Sequence, residues 1–299
     1  MFWGIISLII VGLSWTLSGV IMGLAPKKKI DPGIVQLTGS IMLLVGSAVL
    51  VCFTDLTHIE TQTLFWCGLS FFGAGVTNCI MLILMSHAMQ KGPNGIIWAI
   101  LQSAMIFPFL TGIIFFGVQP TVIRFAGLFM ILSSLFLSGA GKKNGSSGGN
   151  WKLLAFICFL LTGVTQNLAN LPSYFSASQG VPSIFRVLCL SVGVFTCSLI
   201  RTWHLRHQIP LKKNLSSRWL WTFNFIMQSM GIVFAVFLQY PSMDALAKHG
   251  AGSLAYPLLV GSCVGGFSLY SMFILKEKCT PLQKAALLCC LGGIILICL

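Results

Sequence analysis

The chain of 299 residues is 56% hydrophobic and only 8% charged, against about 25% charged residues in a soluble domain, so a water-soluble globular protein is excluded. A net charge of +13 would suggest nucleic acid in a soluble protein. Here the basic residues stand between long apolar runs, and no nucleic-acid partner follows. Eleven cysteines are scattered through those runs without metal-ligand or CxxC spacing, which predicts buried small hydrophobes and neither a metal site nor a disulfide framework.

Hydropathy predicts ten apolar spans, at about 3–24, 34–53, 64–88, 94–118, 122–140, 153–174, 183–201, 219–246, 251–275 and 281–298, each close to the roughly 20 residues a bilayer requires. The first lacks a basic leader and a small-residue cleavage site, so it reads as a span and not as a signal peptide. It carries Gly12, Trp15 and Gly19 on one face, where small residues allow close helix approach. Asp31-Pro32 predicts an N-cap followed by proline at the first helical position of the second span. Residues 54–63, with Asp55, His58 and Glu60, read as a solvated turn.

The third span holds Thr77, Asn78, Ser86 and His87, and the fourth carries Trp98, Gln102 and Pro108, with Trp98 and Gln102 one turn apart on one face. Lys142 to Asn150 reads as a flexible linker. The sixth span is the most polar: Thr162, Thr165, Gln166, Asn167 and Asn170, then Tyr174 past Pro172. Amides at membrane depth must find a partner, so the stripe is either helix–helix glue or the wall of a wet cavity. Arg186 opens the seventh span, either snorkelling to the surface or binding an anionic group. The basic loop 202–218 suits anionic lipid headgroups. The eighth span shows Trp219 and Trp221 as an interface belt, then Asn224, Gln228, Gln239 and Tyr240, with a kink expected at Pro241. Asp244, four residues before Lys248, reads either as half of a local ion pair or as a protonatable site.

The chain repeats itself. At a shift of 158, Met85–Gly92 lies over Met243–Gly250 and Trp98 over Tyr256; at a shift of 151, Gly12 lies over Gly163, Trp15 over Gln166 and Gly19 over Asn170. Residues 1–141 and 153–299 are thus two copies of five spans joined by 142–152. An odd number of spans per copy inverts one relative to the other. All of the 18 basic residues except Arg124, Arg186 and Lys248 fall in or beside the loops that follow odd-numbered spans. By the positive-inside rule those loops are cytoplasmic and both termini are extracytoplasmic.

The two five-helix halves, with the junction Glu277-x-x-Thr280-x-x-Gln283 before the last helix, resemble the drug/metabolite transporter superfamily and its EamA-like ten-helix members. The first half replaces the acid by Gln119 and the glutamine by Arg124. The polar sixth span and short loops are also similar to the rhamnose–proton symporter branch. The resemblance implies an all-α membrane protein of ten helices in two inverted repeats around a central cavity, set in the cytoplasmic membrane. It implies secondary transport of a small polar organic solute, sugar-like or aromatic, by alternating access with possible proton coupling.

No Walker motif and no catalytic constellation occur, so neither ATP use nor an enzyme is expected, and no cofactor is called for. The cavity candidates are Trp15, Asn78, Trp98, Gln102, Gln166, Asn167, Asn170, Gln228 and Tyr256, because amides pair with hydroxyls and rings stack on flat faces. Spans 1, 3, 4, 6, 8 and 9 are expected to line it. Asp244 and His87 are the proton-coupling candidates and Arg186 the anion-binding one. Alternatives are an exporter of amino-acid or cationic compounds and a non-transporting membrane receptor or scaffold.

Overall fold

The computed structural model describes residues 2–92, 94–119, 121–140, 150–273 and 281–298. The linker 142–149, the Lys276–Lys278 loop, Thr280 and the side chain of Gln283 lie outside the described residues, and with them the junction motif of the resemblance.

Among the described residues every regular element is a helix. In chain order these are α1 (Phe2–Leu24), α2 (Pro32–Cys52), α3 (Thr61–Lys91), α4 (Asn94–Gln102), α5 (Ile106–Phe116), α6 (Val122–Ala140), α7 (Trp151–Asn170), α8 (Ser176–Gln179), α9 (Ser183–His204), α10 (Leu211–Leu215), α11 (Arg218–Phe234), α12 (Tyr240–Lys248), α13 (Ala255–Phe273) and α14 (Pro281–Cys298). A 3₁₀ turn, Ser103–Met105, joins α4 to α5, and a π-helical turn, Ala235–Gln239, joins α11 to α12. Proline at 241 has no N–H to offer the preceding turn, and a π turn accommodates the defect where a kink was expected.

Six helical stretches among the described residues are long and apolar enough to cross a membrane: 2–28, 32–52, 61–91, 151–174, 183–204 and 218–248. Their outward faces carry Phe65, Trp66, Leu153, Ile200, Phe225 and Phe237, all largely exposed. In water such a surface would drive aggregation; in lipid it is the expected exterior. The chain is a multi-pass membrane protein.

Local capping follows the sequence where it was legible. The Asp31 carboxylate accepts from the Gly33 and Ile34 amides at 2.8 and 3.1 Å and starts α2 with Pro32 in its first turn. In the loop after α2, Asp55 accepts from the Thr57 hydroxyl at 2.7 Å and the Thr57 amide at 2.9 Å. Those two bonds hold its carboxyl below the usual carboxylate range, as expected of a solvated turn.

The helices pack as a bundle in which α1 lies against α13, α7 against α3, α4 and α5, α9 against α2 and α3, α2 against α11, and α6 against α14. At the seam between α3 and α9 the two backbones come close together. A Cβ on Gly75 would strike the Leu190 carbonyl oxygen, and one on Gly193 the Phe72 carbonyl oxygen. Both backbones therefore meet through glycines, as small residues permit in membranes. The loops 25–31 and 205–217 share one end of the bundle, where Lys28 lies 4.3 Å from the Trp219 ring. This is the basic face. Residues 53–60, 117–119, 171–182 and 249–254 belong to the opposite face.

Candidate functional site: a central amide-lined cavity

Midway between the two faces lies a cavity of about 280 Å³. Seven of the nine expected binding residues line it: Trp15, Asn78, Trp98, Gln102, Gln166, Gln228 and Tyr256. The Trp15 and Tyr256 rings approach to 6.3 Å between centroids at a tilt of 46°. From α7 the lining takes Thr162, Thr165, Gln166 and Ala169, spaced as one helical stripe.

Asn167 and Asn170 are not in the lining. Asn167 is one residue, about 100°, off the stripe. Asn170 donates to the Tyr174 hydroxyl at 3.4 Å as the chain tightens into the 3₁₀ turn Leu171–Tyr174. The expected set of lining helices is also corrected. α2 contributes Gln36, Ser40 and Leu43, and α9 contributes Val187, Leu190 and Val194. Both helices reach the cavity because they pack on each other at the bundle centre.

The cavity's carboxamides are weakly occupied. Gln36 Nε2 donates to the Met22 sulfur at 3.6 Å, Gln102 Nε2 to the Cys263 sulfur at 3.7 Å and Gln239 Nε2 to the Met243 sulfur at 4.0 Å. Sulfur is a poor acceptor. Gln166 Oε1 is buried without a partner, and among the described residues no hydrogen bond is made by the Asn78 or Gln228 side chains. Buried polar groups in native proteins are nearly always satisfied. A wall of loosely held amides has donors and acceptors to offer a polar guest. Among the described residues the lining holds no acidic, basic or histidine side chain.

The charged candidates lie elsewhere. Arg186 is wholly buried and neither snorkels nor faces the cavity. Its Nη1 and Nη2 donate to Asp244 Oδ1 and Oδ2 at 2.9 and 2.7 Å, and Nη2 also donates to the Ser178 carbonyl at 2.9 Å. The local pair of Asp244 with Lys248 is thus overturned. Asp244 points into the bundle, where a guanidinium offers a two-pronged grip, whereas Lys248 is exposed. His87 is half-buried near the basic-face end of α3 and outside the lining.

A second ion pair escaped the sequence. Arg201, near the other end of α9, donates from Nη1 and Nη2 to Asp31 Oδ1 and Oδ2 at 2.8 and 3.1 Å. Asn214 of α10 accepts the Asp31 amide at 2.9 Å. A Cβ on Gly33 would fall on the Arg201 guanidinium, so this close approach requires glycine. The Asp31 cap was visible, but Arg201 is 170 positions away and looked like one more basic-face charge.

A larger recess of about 540 Å³ opens at the opposite face beside Trp66, Leu69 and Phe175. Those side chains are exposed and apolar, the character of a lipid-facing surface. Among the described residues no cluster of metal-binding side chains occurs.

No known family model matches the sequence, and no curated protein does. A solved structure described only as "Crystal structure of protein" is similar, with a TM-score of 0.67 at 13% identity over 98% of this chain and 94% of its own. At that identity the likeness is one of fold alone.

Proposed function

We propose that the protein is a secondary transporter of the drug/metabolite superfamily kind, carrying a small, uncharged, polar solute through the central cavity by alternating access. The observation that carries this reading is the uncharged wall of Gln36, Asn78, Gln102, Gln166 and Gln228 interleaved with Trp15, Trp98 and Tyr256. Amides supply both donors and acceptors to hydroxyls, and rings stack on a flat sugar or aromatic face. An amino-acid or cationic substrate would call for a countercharge, and none stands among the described residues of the lining.

Duplication is supported by the packing. Taking residues 1–141 as one five-helix half and 153–299 as the other, exchanging the halves turns α1 against α13 into α7 against the α4–α5 span. It turns α3 against α9 into the α11–α12 span against α2, and it maps the pairs α2–α9 and α6–α14 onto themselves. Such exchange is what an inverted repeat about a central site produces. The basic face lies in the cytoplasm and both termini outside, in the cytoplasmic membrane.

Counterflow in proteoliposomes, with a panel of radiolabelled neutral sugars, polyols and aromatic metabolites, tests the reading. Flux of at least one class is expected, and Gln166→Ala is expected to lower it by about tenfold, the scale of one lost polar contact in a dry site. A chain that binds solutes without moving them would point to a receptor instead.

A further inference from the structure

We propose that the ion pairs Arg186–Asp244 and Arg201–Asp31 are the two gates of the cavity, opened one at a time during transport. The proposal rests on the transport reading above and adds to it the residues that close each end.

The argument starts on α9. Leu190 and Val194 face the cavity, and the stripe that carries them runs on helical spacing from Arg186 to Arg201. The separation of 15 residues (201 − 186) is about 22 Å along the axis, most of the thickness of a bilayer core. The face that walls the cavity therefore ends in an arginine on each side.

Each arginine ties α9 to a different lining helix. At the opposite face Arg186 holds Asp244 of α12, with its guanidinium 5.8 Å from the Tyr240 ring, and Tyr240 itself lines the cavity. At the basic face Arg201 holds Asp31 at the start of α2, which carries Gln36 and Ser40 into the lining. Both pairs are two-pronged, and both clasp helices that must part if water is to reach the cavity from that side. Of the chain's five acidic residues, Asp244 is buried and Asp31 partly buried; Asp55 and Glu60 stand in the exposed loop and Glu277 lies outside the described residues. Carboxylates so scarce, each placed on an arginine at one end of the same helix, are poorly explained as general stabilisation. A buried pair is often replaceable by apolar side chains without loss of stability.

The experiment requires no knowledge of the solute. Ser18, in the cavity wall, is changed to cysteine in the full chain, and an impermeant sulfonated maleimide is applied to spheroplasts and to inverted vesicles. The parent chain with its native cysteines sets the background. With both pairs intact, Ser18→Cys is expected to label slowly from either side. Adding Asp244→Asn is expected to raise labelling about tenfold from one side only, and adding Asp31→Asn from the other side only, a ratio within the usual span of coupling between two states.

Where an asparagine variant does not fold, Arg186→Lys or Arg201→Lys serves in its place. Lysine keeps the charge and loses the fork, so the same side preference at a lower rate is expected. The exchange Arg186→Asp with Asp244→Arg restores slow labelling if the pair itself is the gate. Labelling that rises from the same side in both variants, or in neither, overturns the proposal and leaves the transport reading to the flux assay. Absence of flux alongside opposite-sided labelling overturns the transport reading and leaves the gates.

Discussion

The seam between α3 and α9 and the interrupted span formed by α11, the π turn and α12 both wall the cavity, yet they are built in opposite ways. At the seam, Gly75 and Gly193 bring backbone against backbone, and nothing can slide without a carbonyl meeting a Cα. The interrupted span has 17% of its apolar window buried, against 39% for each seam helix. It is broken by the π turn, and beyond it α12 is held by Asp244 together with the buried Tyr240, Met243 and Leu246. Packed interfaces are bistable rather than continuously deformable, so under the proposed alternating access the seam is the natural frame and the interrupted span the part expected to move. The Arg186–Asp244 pair is where the frame grips the moving part.

The largest expected effect comes from breaking that grip on one side only. Arg186→Met leaves Asp244 buried and unpaired, and the loss expected is about 3–5 kcal/mol. The double variant Arg186→Met with Asp244→Met is expected to recover most of it, read as thermal unfolding in detergent. A double variant no more stable than the single would make the pair a simple structural anchor. Next comes the seam. Gly75→Ala pushes a methyl into the Leu190 carbonyl, with an expected loss of about 1–3 kcal/mol from overpacking. The matching comparison is Gly231→Ala on α11, whose Cβ would have only the Gln228 amide oxygen near it, at 4.0 Å. That change is expected to fall within about 0.5 kcal/mol of the parent, and equal losses at 75 and 231 would erase the distinction between frame and moving part. Smallest in stability, Gln228→Ala on the interrupted span is expected to leave the unfolding temperature unchanged while lowering solute flux.

Much of the fold could be read from the sequence because lipid makes the rule simple: apolar runs become helices, and Asp31-Pro32 becomes a cap. The cavity wall was legible where a polar residue stood out in an apolar run, as with Trp15, Asn78, Gln102 and Gln166. It was misread where polarity alone was the guide. Asn170 is as polar as Gln166 but is drawn to Tyr174 by the turn that ends α7. Leu190 and Val194 line the cavity and carry no polar signal at all. Arg186 and Asp244 were each singled out, but their pairing depends on the rotation of α12 about its own axis, which hydropathy does not encode.

That rotation has a source. A π turn amounts to one residue inserted into an α-helix, and each residue turns the helix by about 100°. In an uninterrupted helix Asp244 would sit about 160° round from Gln228, facing away from the cavity wall; with the insertion the offset falls to about 60°. Tyr240 moves from about 120° to about 20° by the same count. The chain thus carries one residue more than a regular helix would need between Gln228 and Asp244, and the surplus sets the phase of everything beyond it. A one-residue deletion between Ala235 and Gln239 would therefore make the span a regular helix and keep the aspartate within the arginine's reach, whereas straightening the turn with its residue count unchanged would carry the aspartate about 100° away.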